Sequence, residues 1–151
     1  MKITKLSQKG LELIKSFEGL SLKPYVCPAN IPTIGFGNTY YPNGQKVKLT
    51  DPAITIEKAE ELLKFLLVTY EKAVDSFCRD DISQNQFDAL VSFCYNVGTG
   101  ALQRSTLIKK VNANPKDVTI SDEFMKWNKA NGRVLVGLTR RRQAESKLYF
   151  S

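Results

Sequence analysis

The sequence predicts an α+β fold in which a small antiparallel β-sheet near the N-terminus is joined by a long helix to a larger helical part. Residues 24–50 are rich in proline and glycine and contain short β-prone segments. From Thr55 onward, apolar residues recur at helical spacing over about 23 residues. The remaining sequence repeats helical patterns separated by caps and glycine breaks. A length of 151 residues fits one domain with two lobes.

Composition and charge restrict the classes of function. The 42% hydrophobic and 25% charged residues are ordinary for a globular domain. The net charge of +7 favours an anionic partner, and charge alone does not separate nucleic acid, an acidic membrane surface and a bacterial wall polymer. The absence of histidine excludes Ser-His-Asp and Cys-His catalysis and histidine-ligated zinc. Three cysteines without a CxxC pair indicate free thiols in a reducing compartment.

The first helix is expected to begin at Ser7 as N-cap and to end at Gly19 as a glycine stop. Glu18 then lies in its last turn. Unpaired carbonyl oxygens there disfavour a negative charge and should raise the pKa of Glu18. Position alone nevertheless favours a solvated acid at a helix end.

Short strands are expected at residues 25–27 and 33–37, and a turn at Pro42-Asn43-Gly44. Gly35 and Gly37 have two interpretations: they serve turn formation, or they let a bulky ligand approach the backbone closely.

The predicted helices after this sheet begin near Thr55, at a capping box over residues 83–86, at Ser105 and at Thr119, and the last runs from about Leu138 to Phe150. The capping-box helix is apolar almost all round, which indicates a central position, and it should stop at a polar bend at residues 96–100. The helix from Thr119 should reach Ala130, and Asn131-Gly132 should break it. The predicted parts are residues 1–54 for the N-terminal helix and sheet, 55–78 for the connecting helix and 79–151 for the helical lobe.

Several segments, in order along the chain, resemble the phage-type lysozymes, the endolysins grouped as glycoside hydrolase family 24. Phe17-Glu18-Gly19-Leu20, Tyr25 and Thr33-Ile34-Gly35-Phe36-Gly37 resemble the start of these enzymes. Residues 86–98 resemble their central helix. The C-terminal signatures are similar to Ser105-Thr106-Leu107, Trp127, Gly137-Leu138, Arg141-Arg142 and Glu145.

The resemblance implies a two-lobed, lysozyme-like fold with the substrate cleft between the lobes. It implies cleavage, with inversion, of the β-1,4 bond between N-acetylmuramic acid and N-acetylglucosamine. The family's catalytic acid falls on Glu18 and its threonine on Thr33, whereas its aspartate is replaced by Cys27. Thr39, Tyr95 and Thr106 are the implied substrate-binding residues, and Tyr25, Gly35, Gly37 and Arg141 are implied to support the site. No metal and no cofactor are expected.

Two residues keep alternative interpretations. Cys27 either positions or deprotonates a water together with Thr33, or it only packs near the site; a thiol needs a lowered pKa to act as a base. Arg141 lies either on a solvated helix face, paired with Glu145, or near Glu18 as the resemblance implies. In the second case the guanidinium would oppose the rise in the pKa of Glu18.

Bacterial peptidoglycan is the expected partner of a monomeric enzyme that binds no nucleic acid and does not insert stably into membranes. We expect it to stay in the host bacterial cytoplasm until release to the wall, because no signal peptide or transmembrane segment is evident in the sequence. The alternatives are a basic nucleic-acid-binding helical protein, a wall-binding module without activity, and a lytic transglycosylase.

Overall fold

The chain has the predicted α+β fold, with seven helices and two small antiparallel sheets among residues 2–151, which are the residues that the computed structural model describes. In chain order the elements are α1 (Gln8–Phe17), β1 (Ser21–Val26), β2 (Pro32–Gly35), α2 (Ile56–Phe77), α3 (Gln84–Val97), α4 (Thr99–Arg104), α5 (Thr106–Ala113), α6 (Ile120–Met125), β3 (Lys129–Ala130), β4 (Arg133–Val134) and α7 (Val136–Tyr149). None of these helices is long and apolar enough to cross a bilayer.

Contacts divide the chain into two compact units. The helical unit consists of the residues up to Leu13 together with Thr69–Ser151, and the sheet unit consists of Ile14–Val68. Helices α1 and α2 each contribute residues to both units. The lobes expected from the sequence have other boundaries, and these boundaries stay a prediction.

Helix α1 begins where predicted, because Ser7 caps it. The Ser7 hydroxyl oxygen accepts a hydrogen bond from the Gly10 amide at 3.1 Å, and the hydroxyl donates to the buried Asp88 carboxylate of α3. The Ser7 amide donates to the other oxygen of that carboxylate at 3.1 Å. A β-carbon at Gly10 would lie 2.6 Å from the Asp88 carboxyl carbon, so this contact requires glycine. The start of α1 is thereby fixed against α3.

The prediction that Gly19 ends α1 as a glycine stop is wrong. The helix ends at Phe17, and the Glu18 amide still donates to the Ile14 carbonyl at 3.1 Å. Gly19 is not one of the glycines with positive φ. The chain passes instead towards the extended backbone of β1, which residues of every type can adopt.

A small apolar core holds the sheet unit together. Ile34 of β2, Val47 and Leu62 of α2 are buried against one another, and Tyr41 and Ile54 pack against them while remaining partly exposed. Strands β1 and β2 form the small antiparallel sheet that the sequence predicts. The predicted turn at residues 42–44 is also present, since the Gly44 amide donates to the Tyr41 carbonyl at 2.9 Å.

Helix α3 is the central helix of the helical unit, as predicted. Ser83 and Gln86 form the capping box, in which the side chain of each residue accepts a hydrogen bond from the backbone amide of the other. Every residue from Phe87 to Cys94 is buried. Helix α3 packs against α4 and α7, and the predicted cap Ser105 starts α5 by accepting a hydrogen bond from the Ile108 amide.

In the helical unit one prediction is confirmed and another is wrong. Helix α3 stops within residues 96–100 as expected, at Gly98, which is the single non-helical residue before α4 begins. The helix expected to reach Ala130 ends at Met125, and residues 129–134 form a β-hairpin. Asn131 and Gly132 at the hairpin tip have φ values of 53° and 77°, and a two-residue turn of this kind needs positive φ at both positions.

Gly98→Ala is expected to lower the free energy of unfolding by about 1–3 kcal/mol, because the Gly98 backbone conformation, at φ 100° and ψ 155°, is almost restricted to glycine. Gly19→Ala is the matched control. An added β-carbon meets no heavy atom within 4 Å at either position, but Gly19 lacks the positive φ. Urea unfolding measures both changes. Equal losses of stability in the two variants would contradict the backbone argument.

Candidate active site

A five-residue turn, residues 27–31, joins β1 to β2 and has Cys27 at its start. The Asn30 amide donates to the Cys27 carbonyl at 2.8 Å, and the Cys27 amide donates to the Ile31 carbonyl at 3.1 Å. Pro28 occupies the second turn position, where its fixed φ is favourable. Asn30 has a φ of 64°, a left-handed conformation that asparagine tolerates better than most residues. The sequence Pro28-Ala29-Asn30 therefore fixes the backbone beside Cys27.

Cys27 and Thr33, two of the three predicted catalytic residues, meet around the peptide groups of Ile31. The Ile31 carbonyl oxygen accepts hydrogen bonds from the Cys27 amide and, at 2.8 Å, from the Thr33 hydroxyl. Thr33 is buried, whereas Cys27 is partly exposed to solvent. The structure thus brings together a partly exposed thiol and a buried hydroxyl at one end of the sheet.

The pKa of Cys27 lies below its ordinary value. The largest cause is the Ile31 backbone amide, and the Thr33 hydroxyl is the second, because both stabilise the thiolate. Partial burial opposes them, and the amides of Ala29 and of Cys27 itself contribute further lowering. A hydroxyl has one proton, so Thr33 donates it to the Ile31 carbonyl in one orientation and to the thiolate in the other.

Glu18 lies directly after α1 and is partly buried. The strand that follows it is irregular. Ser21 pairs with Gly35 and Tyr25 pairs with Thr33, so four residue steps along β1 match two along β2. This irregularity shortens the path from the end of α1 to the turn, because the unpaired residues bulge out of the strand.

The last turn of α1 is also held in the sheet unit by Lys15. Its ammonium group lies 2.9 Å from a carboxylate oxygen of Glu60 in α2 and 5.9 Å from the ring centre of Phe36. The hydrogen bond from Lys15 lowers the pKa of Glu60 against the opposing effect of burial. The residues next to Glu18 are therefore anchored to α2 and to the loop after β2.

Gly35 and Gly37 serve turn formation, the first of the two interpretations. They have φ values of 69° and 114° within a loop whose ends, Ile34 and Asn38, exchange backbone hydrogen bonds of 2.9 Å in both directions. Asn38 is buried, and its side-chain amide donates to the Leu62 carbonyl of α2 at 3.1 Å. Close approach of a ligand to these glycines stays a prediction.

The other residues implied by the resemblance are distributed over both units. In the sheet unit, Tyr25 is exposed on β1, and Thr39 accepts a hydrogen bond from the Val47 amide through its carbonyl oxygen at 2.9 Å. In the helical unit, the ring of Tyr95 contacts that of Tyr70 edge to face, with ring centres 5.0 Å apart. Thr106 is exposed at the first position of α5.

The interpretation of the arginine run as a solvated helix face is wrong for two of its three residues. Arg141 and Arg142 are buried, whereas Arg140 is exposed. The predicted pair of Arg141 with Glu145 is present at 3.2 Å, and Arg141 also donates to the Ser92 carbonyl at 3.1 Å. The pair is thus buried within α7, and Arg141 links it to Ser92 of α3.

The buried arginines and Glu145 form one charged cluster in the helical unit. The Arg142 guanidinium packs 5.1 Å from the ring centre of Phe93, donates to the Asn96 side chain and lies 3.0 Å from a Glu145 oxygen. The Ser92 hydroxyl donates to Glu145 at 2.5 Å. Burial raises the pKa of Glu145, and the two guanidinium groups oppose that rise. These contacts fix the orientation of Arg141.

Two contributors to the site were missed by the sequence analysis. Ile31 acts through its backbone, and the adjacent Pro28-Ala29-Asn30 turn is the only sequence signal that points to it. Asn38 holds the glycine loop, and nothing in the sequence indicates that it is buried. Residues 2–151 contain no cluster of His, Cys, Asp or Glu side chains that could hold a metal ion.

The α+β fold is that of the lysozyme class of proteins, and comparison with known proteins identifies the family. The chain belongs to the phage lysozyme family, whose model matches residues 15–145. It is 44% identical over 148 residues to the endolysin of Bacillus phage B103, a match that covers 97% of this chain but 54% of that endolysin. The chain therefore spans about half the length of this curated relative.

Solved structures show the same similarity. The endolysin from Escherichia coli O157:H7 phage FAHEc1 superposes with a TM-score of 0.88 at 40% identity, and the match covers 97% of this chain and 94% of that one. A mutant of phage P22 lysozyme superposes with a TM-score of 0.89 at 36% identity, covering 99% of this chain and 100% of the other. These similarities confirm the lysozyme-like fold.

The lowered pKa predicts that alkylation of Cys27 by iodoacetamide reaches its half-maximal rate at a lower pH than in the urea-unfolded protein, because the thiolate forms at lower pH. Burial raises the pKa of both Cys78 and Cys94 to about 12, so these two thiols should stay unmodified in the folded protein. Thr33→Val should shift the midpoint for Cys27 upward, since one of the groups that stabilise the thiolate is lost.

Mass spectrometry of each cysteine over a pH series measures these rates, and Cys78 and Cys94 serve as internal controls. A midpoint for Cys27 that is no lower in the folded protein than in the unfolded one would show that the turn does not stabilise the thiolate.

Proposed function

We propose that the chain is a peptidoglycan hydrolase that cleaves the β-1,4 bond between N-acetylmuramic acid and N-acetylglucosamine. The observation that carries the proposal is the family match over residues 15–145, which contains Glu18, Cys27 and Thr33. The contacts of Cys27 and Thr33 around Ile31 support it, because they hold two of these three groups in a fixed arrangement. Bacterial peptidoglycan is then the partner.

Glu18 is proposed to be the general acid. Cleavage of a glycosidic bond needs a proton on the leaving oxygen, and a carboxylic acid beside the bond supplies it. A helix C-terminus carries partial negative charge, which disfavours the carboxylate form. Glu18 directly follows α1, so its position favours the proton donor over the anion.

Cys27 and Thr33 are proposed to act on the attacking water. Inversion requires a group on the face of the sugar opposite the general acid to orient and deprotonate that water. A carboxylate usually performs this step, and Cys27 stands where the family has an aspartate. The lowered pKa of Cys27 makes thiolate available at a lower pH than in an ordinary cysteine, and the Thr33 hydroxyl can orient either the sulfur or the water.

The same proposal covers location and assembly. The enzyme would act as a monomer, would bind peptidoglycan and no nucleic acid, and would remain in the cytoplasm of the host bacterium until its release to the wall. It needs no cofactor, because acid catalysis and water activation are supplied by side chains.

Glu18→Gln is expected to reduce the lysis of purified peptidoglycan by at least about 10²-fold, because the amide cannot donate the proton. The loss of turbidity measures activity, and a thermal melt verifies the fold. Glu12→Gln is the matched control, since Glu12 is an exposed acid on α1, the helix that Glu18 follows. More than about a tenth of wild-type activity in Glu18→Gln would rule out the general-acid role.

Substitutions of Cys27 distinguish a catalytic role of this residue from a role in packing alone. Cys27→Asp should keep substantial activity, because it restores a carboxylate that the turn amides can stabilise. Cys27→Ala should lose activity by about 10²-fold or more, and Cys27→Ser should be nearly as poor because a hydroxyl is a weaker base than a thiolate. Initial rates of peptidoglycan cleavage measure the series.

Cys78→Ala is the control for cysteine loss away from the proposed site, because Cys78 is buried in the helical unit. Wild-type activity in a folded Cys27→Ala variant would mean that Cys27 only packs near the site and that Glu18 and Thr33 suffice.

A further inference from the structure

The hairpin formed by β3 and β4 presents a surface that the proposed catalytic function does not use. Lys129 pairs with Val134 and Ala130 pairs with Arg133, and the chain then enters α7 through Leu135 and Val136. We call residues 129–136 the basic hairpin. Its three consecutive aliphatic side chains are exposed, with accessibilities of 60% for Val134, 42% for Leu135 and 68% for Val136. Single exposed aliphatic residues are common, whereas here three consecutive ones are exposed, and we call these three residues the aliphatic patch.

The aliphatic residues occupy positions where a soluble helix start ordinarily has polar ones. Leu135 is the N-cap of α7 and makes no side-chain hydrogen bond to the helix, although serine, threonine, aspartate and asparagine are preferred at this position. The backbone is nevertheless well held. The Leu135 amide donates to the Asn128 carbonyl, and the Thr139 amide donates to the Leu135 carbonyl, both at 2.9 Å. An ordered backbone therefore presents the apolar side chains to solvent.

Positively charged side chains lie next to this patch in the sequence. The sequence contains no acidic residue between Glu123 and Glu145. Lys129 and Arg133 are exposed on the two strands of the hairpin. Lys126, by contrast, pairs with Glu123 at 3.0 Å. The aliphatic patch is thus bordered by cationic side chains that are not neutralised by acidic neighbours in sequence.

We infer that the basic hairpin docks on an anionic phospholipid surface. Exposed aliphatic side chains enter the boundary between headgroups and acyl chains, and neighbouring cationic groups contact lipid phosphates. A polysaccharide partner is favoured less, because sugar rings commonly stack on aromatic faces. Residues 129–136 contain no aromatic side chain, and the neighbouring Trp127 ring packs edge to face on Phe93 at 5.5 Å.

The docking is peripheral, because three aliphatic side chains reach only the interfacial layer and no helix among residues 2–151 could span the bilayer. It is also independent of the proposed catalysis, which involves residues of the sheet unit, whereas the basic hairpin belongs to the helical unit. The consequence is that the protein concentrates at the membrane surface through a contact that does not require peptidoglycan.

Flotation with vesicles of phosphatidylglycerol and phosphatidylcholine tests the inference, with pure phosphatidylcholine as the uncharged reference. Wild type should bind the anionic vesicles, and binding should weaken as salt screens the cations. The variant Val134→Ser with Leu135→Ser and Val136→Ser should bind about ten-fold or more weakly, and so should Lys129→Gln with Arg133→Gln. Two variants of different chemistry keep the test valid if one of them folds poorly.

Matched controls remove the same kind of group elsewhere in the helical unit. Val118→Ser removes an aliphatic side chain that is 76% exposed, and Lys72→Gln with Lys109→Gln removes two exposed cations. Both controls should bind vesicles within about two-fold of wild type. Glu18→Gln should bind vesicles normally, and the hairpin variants should still cleave purified peptidoglycan, so failure of the catalytic proposal would leave this result unchanged.

Three outcomes would overturn the inference. Wild type could fail to bind anionic vesicles, or the hairpin variants could bind them as wild type does. The hairpin variants could also lose binding to purified peptidoglycan while retaining vesicle binding, which would assign the surface to the wall polymer.

Discussion

The proposed chemistry depends on one backbone constraint, the turn that places Cys27 and Thr33 on either side of Ile31. The Ile31 carbonyl accepts hydrogen bonds from the Cys27 amide and the Thr33 hydroxyl, and the Ile31 amide is the main cause of the lowered pKa of Cys27. Because the carbonyl and the amide of Ile31 belong to the peptide backbone, their contacts do not depend on the side chain at position 31. A turn of this kind stabilises an anion at position 27 whether that anion is a thiolate or a carboxylate.

Buried polar groups connect the elements of the helical unit. Asp88 receives hydrogen bonds from both the amide and the hydroxyl of Ser7, and Glu145 receives them from Ser92 and Arg141. A buried carboxylate is costly unless it is hydrogen-bonded or paired, so these contacts restrict how the segment before α1 and the final helix can pack. The contact between Gly10 and Asp88 leaves no space for a larger residue, because a β-carbon at position 10 would collide with the Asp88 side chain.

Local signals predicted much of the fold from the sequence. Ser7, Ser83 and Ser105 each cap a helix as expected, because capping depends on residues within one turn. The features that were not predicted depend on information beyond the local pattern. Gly98 and its neighbours predicted the end of α3, but they did not indicate that α4 begins at the next residue. The Asn131-Gly132 pair is a strong hairpin signal, but strands of two residues are too short to show alternation.

The candidate site could be predicted only in part. The resemblance supplied Glu18, Cys27 and Thr33, and it also supplied the expectation of a role for Arg141. Three consecutive arginines are usually solvated, so burial of Arg141 and Arg142 required the tertiary contacts of α3 and α7. The contribution of Ile31 was not predictable, because it comes from backbone groups whose direction is set by the turn. Residue identity therefore indicates which groups could react, and the turn determines how they are held.

The most direct test of the account is the structure of the product formed in water enriched in heavy oxygen. Purified peptidoglycan would be digested by the wild-type protein, and the muropeptides would be analysed by mass spectrometry. Hydrolysis predicts a new reducing end on N-acetylmuramic acid that carries one heavy oxygen atom from water, because the activated water attacks the sugar. Anhydro products without heavy oxygen, or binding to peptidoglycan without release of fragments, would contradict the account.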